Sequence, residues 1–132
     1  DIHSRAEALG RSVECGLDGV LIGRAACGNP FVFEAAPCED LDTVRDPERN
    51  PDRYRGLRVA VEHAQLYAAA FGHLPYYFFL PMRKHLAWYA HHLPGAGGLR
   101  RDLLGVHSAE EAVAVLNRYL AYRQTWEAAT GC

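Results

Sequence analysis

Apolar residues recur at helical spacing in the second half of the chain, and this pattern predicts three helices. The first stripe runs over residues 54–71 with Gly72 beyond its end, and the second runs over residues 79–93 and ends at Pro94-Gly95. The third follows the S-x-x-E capping sequence at Ser108. Three helices with no strand between them are typical of a helical bundle. The apolar positions expected to be buried are Leu57, Ala60, Val61, Ala64, Tyr67, Ala68, Phe71, Phe79, Met82, Leu86, Tyr89, Leu93, Ala112, Val113, Leu116, Tyr119, Leu120 and Trp126.

Pro81 lies within the second stripe and must either begin that helix or kink it. An interior proline costs about 3 kcal/mol because it removes a backbone hydrogen bond and clashes with the preceding turn. We therefore place Pro81 in the first turn of the helix.

The first 33 residues show a different pattern, which predicts a helix followed by a buried strand. Ser4 and Glu7 form a second S-x-x-E sequence, so a helix should begin there and run to about Cys15, with Gly16 at its C-terminal end. The short apolar run that ends at Ile22 is typical of a strand covered on both faces. Residues 1–33 thus read as the end of an α/β domain whose partner strands lie outside this sequence.

Between these two units lies an acidic connection. Residues 34–52 contain seven acidic residues against two arginines, together with three prolines. We expect an irregular segment here. The predicted organisation is therefore an α/β end at residues 1–33, a connecting segment at 34–53 and a helical domain at 54–132.

Composition excludes several classes of protein. With 132 residues, 49% hydrophobic and 23% charged, the chain has the composition of an ordinary globular protein rather than a disordered one. It contains no apolar run near the roughly 20 residues of a membrane-spanning helix. The four cysteines form no C-x-x-C pair, so we expect reduced thiols and no metal site. The chain begins at Asp1 rather than Met, which suggests a piece of a longer protein.

Charge is distributed unevenly although the net charge is only −2. Residues 53–107 contain seven cations against two acids, with six histidines besides. Such a block can face a polyanion, or it can be an ordinary solvated surface. The seven cations are Arg53, Arg55, Arg58, Arg83, Lys84, Arg100 and Arg101.

Gly23 and Arg24 directly follow the predicted strand and form a candidate phosphate site. A glycine lets the backbone approach an anion closely, and the amides at the start of a following turn point toward it. Arg24 would add a guanidinium. The same sequence would also suit an ordinary tight turn.

Several motifs together closely resemble the C-terminal part of bacterial tRNA-dihydrouridine synthases, and the resemblance covers essentially the whole chain. The G-x-D-G-V-x-I-G-R-A stretch would also suit other flavin-binding barrels, whereas the R-K-H and P-G-A elements in a helical tail are specific to this family. The matching segments are Asp1-Ile2, residues 16–33, Met82-Arg83-Lys84-His85, Trp88-Tyr89 and Pro94-Gly95-Ala96.

The resemblance implies the last unit of a TIM (β/α)8 barrel that binds FMN, followed by a small helical domain that docks tRNA. Such an enzyme reduces the C5–C6 bond of uridine in tRNA, with NADPH as the usual electron source, while a cysteine protonates the second carbon. It implies a cytoplasmic enzyme, monomeric at full length. It assigns Gly23 and Arg24 to the cofactor phosphate, and Asp1, which matches the last residue of the family's N-G-D segment, to the cofactor site. It assigns Arg83, Lys84 and His85 to RNA contact.

The resemblance also leaves the chain without a catalytic residue. In the family, the flavin ring site and the loop with the acidic cysteine lie upstream, and the four cysteines of this chain match no catalytic position: Cys15, Cys27, Cys38 and Cys132. We therefore expect the 132 residues alone to be inactive.

Two other functions remain open from the sequence. One is a different FMN-dependent barrel that acts on a small molecule, and the other is a helical RNA-binding or interaction module without enzymatic activity. Arg83 and Lys84 could also be an exposed helix face, and His85 a packing residue. A continuous patch of the seven cations on the side of Gly23 would favour the tRNA enzyme.

Overall fold

The computed structural model describes residues 1–34, 54–91 and 93–130. The predicted connection at residues 34–53 lies outside the described residues except for Glu34, and so Cys38 and Arg53 are not described. Cys132 also lies outside the described residues. The described ranges form five α-helices, which are α1 (Arg5–Cys15), α2 (Arg55–Phe71), α3 (Leu80–Tyr89), α4 (Ala96–Gly105) and α5 (Ala109–Thr130). Two short 3₁₀ helices, Arg24–Ala26 and Pro30–Phe33, lie between α1 and α2.

Helix α1 begins and ends where the sequence predicts. The Ser4 hydroxyl accepts a hydrogen bond from the Glu7 amide at 3.1 Å. The Glu7 carboxylate accepts from the His3 amide at 2.9 Å, one residue before the expected N-cap amide. At the other end Gly16 has φ +63°, and the Leu17 amide donates to the Ser12 carbonyl at 2.9 Å, which together close the helix as glycine caps usually do.

The structure contradicts the prediction of a buried strand that ends at Ile22. Residues 17–23 form no strand, and nothing in the described ranges pairs with them in a sheet. Leu21 is 95% exposed, and Val20 and Ile22 are only half-buried. A strand needs a neighbouring strand to satisfy its backbone groups, so an apolar run alone does not make one.

The helical unit surrounds one apolar core. Helix α2 packs against α3 and α5, and α4 also packs against α3 and α5, so the four helices close into a ring. Alanines without exposed surface, such as Ala60, Ala64 and Ala112, allow the helices to approach closely. The largest fully buried side chains are Leu57, Met82, Leu86, Leu103 and Leu116. Eight of the eighteen predicted apolar positions are buried, and seven more are partly buried against this core, which confirms most of the prediction.

Helix α4 is the helix that the sequence pattern did not predict. Its second and third residues, Gly97 and Gly98, are poor helix formers that cost free energy relative to alanine, and Pro94-Gly95 indicates only the end of the preceding helix. Burial of Leu99 and Leu103 offsets this cost, because each is no more than 5% exposed. The bundle therefore has four helices instead of three.

Other boundaries also differ from the prediction. Pro81 is the second residue of α3, as expected for a helix start, but α3 ends at Tyr89 rather than near residue 93. Phe71 and Trp126, the last apolar residues of their stripes, are 46% and 44% exposed, so the expected burial of both is wrong. Helix α5 has 22 residues against 17 in α2, and its C-terminal turns are exposed.

Candidate functional site

The three residues predicted to bind the cofactor lie close together in the structure. Gly23 precedes the first 3₁₀ helix, where its carbonyl accepts from the Ala26 amide at 3.0 Å. A Cβ built at Gly23 would meet nothing within 4 Å, so this side of the backbone is open. The Arg24 guanidinium forms an ion pair with the Asp1 carboxylate. Asp1, Gly23 and Arg24 thus lie together, although Asp1 and Arg24 are 23 positions apart.

The electrostatics of this loop suit an exchangeable anion. The side chains of Arg24 and Asp1 are 83% and 53% exposed, so their ion pair contributes at most about 1 kcal/mol. The first amides of a helical turn have no partner within the turn. A phosphate could replace the Asp1 carboxylate on Arg24 at small cost.

The Arg83 guanidinium binds other groups of the protein. Its side chain is half-buried, its Nε donates to the Val106 carbonyl, and its Nη2 lies 2.8 Å from Nδ1 of His107. These contacts fasten α3 to the turn between α4 and α5. The Arg83 guanidinium therefore has a structural role, in addition to the RNA contact that the sequence predicts for it.

Lys84 and His85 lie beside Trp88 on α3. Lys84 is exposed, and its Nζ is 5.8 Å from the centre of the Trp88 ring. The half-buried His85 ring meets Trp88 edge-on, with the ring centres 4.9 Å apart. A cation, an imidazole and an indole therefore share one surface, which we call the Lys84–Trp88 surface (Lys84, His85 and Trp88).

His63 of α2 backs this surface and was not singled out from the sequence. Its ring centre is 5.7 Å from that of His85, and its Nδ1 is 3.2 Å from the Tyr89 hydroxyl. It lies next to the buried Ala64 and three residues after the buried Ala60, so its place at the edge of the α2 stripe could have signalled it.

Burial makes these imidazoles hard to protonate. Desolvation lowers the pKa of His85, and the neighbouring His63 and Lys84 lower it further. Desolvation also lowers the pKa of His63 and raises the pKa of the Tyr89 hydroxyl. Both imidazoles are therefore neutral near pH 7, which leaves Lys84 as the positive charge of the Lys84–Trp88 surface.

The remaining candidate residues have varied surroundings. Arg55 binds Glu34, and Arg100 and Arg101 are exposed on α4. Cys15 and Cys27 are exposed free thiols. Among the described residues, no three His, Cys, Asp or Glu side chains are placed to hold a metal ion. None of the described helices is long and apolar enough to cross a membrane.

Comparison with known proteins gives a consistent result. Residues 1–125 match the family model described as dihydrouridine synthase (Dus). A Mycobacterium leprae protein named "Probable tRNA-dihydrouridine synthase" is 33% identical over 118 residues, which cover 89% of this chain and 30% of that protein. A Synechocystis protein named "Probable tRNA-dihydrouridine synthase 1" is 31% identical over 121 residues, covering 92% of this chain and 33% of that protein.

A third relative, from Staphylococcus aureus strain Mu50, also carries the name "Probable tRNA-dihydrouridine synthase" and is 29% identical over 126 residues. The chain spans about a third of the length of the curated relatives it matches. No solved structure matches it. Because the family model matches nearly the whole of its length, this chain belongs to the dihydrouridine synthase family.

Proposed function

We propose that this chain is the C-terminal part of a flavin-dependent enzyme that reduces uridine to 5,6-dihydrouridine in tRNA, with NADPH as the electron source. The observation that carries the proposal is the family match over residues 1–125. The names of the relatives, which specify tRNA, support the substrate. We propose a monomeric enzyme that works in the cytoplasm, where tRNA is found.

In this proposal residues 1–33 complete a TIM barrel. Large apolar side chains on this part of the chain are exposed, and their exposure supports a further apolar surface that covers them. Val13 on α1 is 84% exposed, and Leu21 in the segment predicted as a strand is 95% exposed. A neighbouring strand from the rest of the barrel would also provide hydrogen-bond partners for the backbone of residues 17–23.

Gly23 and Arg24 are proposed to hold the phosphate of FMN. The open backbone at Gly23 and the exposed guanidinium of Arg24 fit such a group, and the Asp1 carboxylate holds Arg24 in place or yields to the phosphate. When bound, reduced flavin supplies the hydride for one carbon of the uridine C5–C6 bond. The role of Arg24 and Gly23 is to bind the phosphate of FMN and so to orient the cofactor. The catalytic acid is proposed to come from outside these 132 residues.

The Lys84–Trp88 surface is proposed to contact tRNA. Lys84 offers a charge for a phosphate, and His85 and Trp88 offer rings beside it. The proposed RNA contact of Arg83 rests on its Nη1, because Nε and Nη2 already donate toward Val106 and His107.

The decisive experiment compares the complete enzyme with an Arg24→Gln variant. Each is incubated with FMN, NADPH and an unmodified tRNA transcript, and dihydrouridine is measured by mass spectrometry of the digested RNA. We expect the complete enzyme to form dihydrouridine, and Arg24→Gln to retain FMN about tenfold less well because it loses a charged phosphate contact. Arg11→Gln on α1 is the matched control, since Arg11 pairs only with the exposed Glu14 among the described residues.

Two results would contradict the proposal. Reduction of a small-molecule enone without any reduction of tRNA would favour the other FMN-dependent barrel. Salt-sensitive tRNA binding by a complete protein that retains no flavin would favour the non-enzymatic RNA-binding module.

A further inference from the structure

The turn at Gly28 lies directly on the end of α3. Gly28 has φ +74°, and a Cβ built there would fall 2.4 Å from the carbonyl carbon and oxygen of Trp88 and 2.7 Å from the Tyr89 nitrogen. Only glycine combines this backbone conformation with so close an approach. The loop that follows Arg24 is therefore seated on the last peptide of the helix that carries the Lys84–Trp88 surface.

A second contact joins the same stretch to α2. Arg55, the first residue of α2, donates from both Nη atoms to the two carboxylate oxygens of Glu34, at 3.0 and 2.7 Å. Its guanidinium also lies 4.0 Å from the centre of the Phe31 ring. A bidentate pair stacked on a ring fixes both distance and direction.

The chain between Gly23 and Glu34 is short and hydrogen-bonded along its length. Val32 anchors it with only 6% of its surface exposed. Its consecutive hydrogen-bonded turns restrict the movement of the loop at Gly23 and Arg24 relative to the two contacts with the helical unit. We call this loop the phosphate loop. The amide-to-carbonyl bonds are Ala26 to Gly23 at 3.0 Å, Cys27 to Arg24 at 3.1 Å, Asn29 to Ala26 at 3.2 Å, Val32 to Asn29 at 3.3 Å and Glu34 to Phe31 at 2.9 Å.

We propose that Gly28, Glu34 and Arg55 are positioning residues that hold the Lys84–Trp88 surface at a set distance and direction from the phosphate loop at Gly23 and Arg24. The inference rests on the proposed function, in which these two sites bind tRNA and FMN. In this role Gly28 and the Glu34–Arg55 pair act through the helical unit rather than on the reacting atoms. Their role is to present the RNA to the flavin, so their loss should slow the reaction while both ligands still bind.

The test uses the complete enzyme and exchanges the two charges. Glu34→Arg and Arg55→Glu each break the pair, and the double variant E34R/R55E restores opposite charges at the same place. Three quantities are measured for each protein: the FMN retained, the Kd for an unmodified tRNA transcript, and kcat for dihydrouridine formation with NADPH. We expect each single variant to lower kcat about tenfold while FMN content and Kd stay within about twofold, and the double variant to recover most of the loss.

The matched control is the exposed ion pair on α1, Arg11 with Glu14 at 3.6 Å. Exchanging it as Arg11→Glu and Glu14→Arg should change none of the three quantities. Gly28→Ala forces α3 away from the loop and should lower kcat in the same way, and Gly97→Ala, whose added Cβ meets nothing within 4 Å, controls for the extra methyl group. If Gly28→Ala does not fold, the charge exchange still tests the proposal.

The outcomes separate the two proposals. If the wild-type enzyme reduces uridine and the single variants match it, or if their lost activity follows lost FMN or lost tRNA binding, the positioning role is wrong and the proposed function stands. A double variant no more active than the single variants also contradicts the positioning role. If the wild-type enzyme forms no dihydrouridine, the proposed function fails and the positioning role fails with it.

Discussion

Two half-buried histidines meet between α2 and α3, and their neighbourhood decides their charge. The His63 and His85 rings lie 5.7 Å apart, with Tyr89 beside the first and Lys84 and Trp88 beside the second. Burial lowers the pKa of both imidazoles, and for His85 the nearby His63 and Lys84 lower it further. Because two positive charges at this distance repel, the pair accepts its first proton more readily than its second.

This pair should make the stability of the 132-residue chain depend on pH. The pKa of each imidazole is lower in the folded protein than the ordinary 6.5 of the unfolded chain, so the unfolded chain binds more protons as the pH falls. We expect full stability above about pH 7 and a progressive loss as the pH falls below about 6.5. The measurement is the urea midpoint at about pH 7.5 and about pH 5.5.

The control separates these histidines from the other titrating groups. His63→Asn should reduce the pH dependence of the midpoint, whereas His73→Asn, at an exposed histidine after α2, should leave it unchanged. A midpoint that stays constant across this range would show that the pair does not couple protonation to folding.

The two neighbouring cations on α3 should differ in their effect on stability. Lys84→Gln removes an exposed charge, so we expect weaker tRNA binding with a salt dependence reduced by about one unit of slope and no loss of stability. Arg83→Gln leaves the Val106 carbonyl and His107 without their donor, so we expect it to lower the free energy of unfolding by about 1 to 3 kcal/mol. Filter binding at several salt concentrations and urea titration measure the two effects.

Arg11→Gln serves as the control for both measurements, because Arg11 lies on α1 in an exposed pair with Glu14. If Lys84→Gln lowers the free energies of tRNA binding and of unfolding by equal amounts, Lys84 stabilises the fold and does not contact the RNA.

At the scale of the element, helix starts follow local chemistry. In α5, as in α1, a serine hydroxyl accepts from the amide three residues later, since Ser108 accepts from Glu111 at 3.2 Å. The Glu111 carboxylate then reaches back to the His107 amide at 2.7 Å. In both helices the glutamate thus caps the residue before the serine. All the groups involved lie within four residues, so the sequence alone could predict both helix starts, although it predicted the serine amide rather than the preceding one as the partner of each glutamate.

Removing the cap of α5 should measurably destabilise the bundle. Ser108→Ala leaves the Glu111 amide without its partner, and we expect a loss of about 1 kcal/mol in the free energy of unfolding. Thr125→Ala is the matched control: its hydroxyl donates to the Ala121 carbonyl in the exposed end of the same helix, so its loss should change stability by less than about 0.5 kcal/mol. Urea titration measures both, and equal effects would contradict a specific capping role.

Elements that depend on distant partners were predicted less well. Helix α4 contains glycines that local preference places outside helices, yet burial of Leu99 and Leu103 against α3 and α5 stabilises it. In addition, the Tyr119 hydroxyl of α5 donates to the Pro94 carbonyl just before α4. The apolar run ending at Ile22 shows the converse case, because its pattern indicated a strand and the described residues provide no neighbouring strand.

At the scale of the whole molecule, contacts between distant described residues join residues 1–34 to the helical unit. The loop at Gly23 and Arg24 is open, since the Arg24 side chain is 83% exposed, and the helical unit has a closed core of its own. Gly28 and the Glu34–Arg55 pair join them. The chain therefore places the open loop at Gly23 and Arg24 beside the closed core of the helical unit.

We accordingly expect the isolated 132-residue chain to bind tRNA but not to reduce it. Binding should weaken steeply with added salt because it depends on phosphate contacts, and dihydrouridine should not rise above the enzyme-free background because the chain holds no proposed catalytic acid. Gel-shift assays at several salt concentrations and mass spectrometry of the RNA measure these. Dihydrouridine formed by the isolated chain would overturn the expectation.

The sequence by itself determined the helices with local signals: the caps of α1 and α5, the apolar stripe of α2 and the place of Pro81 at the start of α3. Its motifs also named Asp1, Gly23 and Arg24 as one group. The helix features depend on residues within a few positions of each other. The grouping of Asp1, Gly23 and Arg24 depends on the similarity of sequence motifs to those of a known family.

Only the tertiary structure decided the features that join distant residues. It made α4 a helix and left Trp126 exposed. It turned Arg83 toward the Val106 carbonyl, paired Arg24 with Asp1 across 23 positions and placed Gly28 on the end of α3. The physical reason is the same in each case: burial, ion pairing and close backbone approach depend on neighbours that the chain brings together only when it folds.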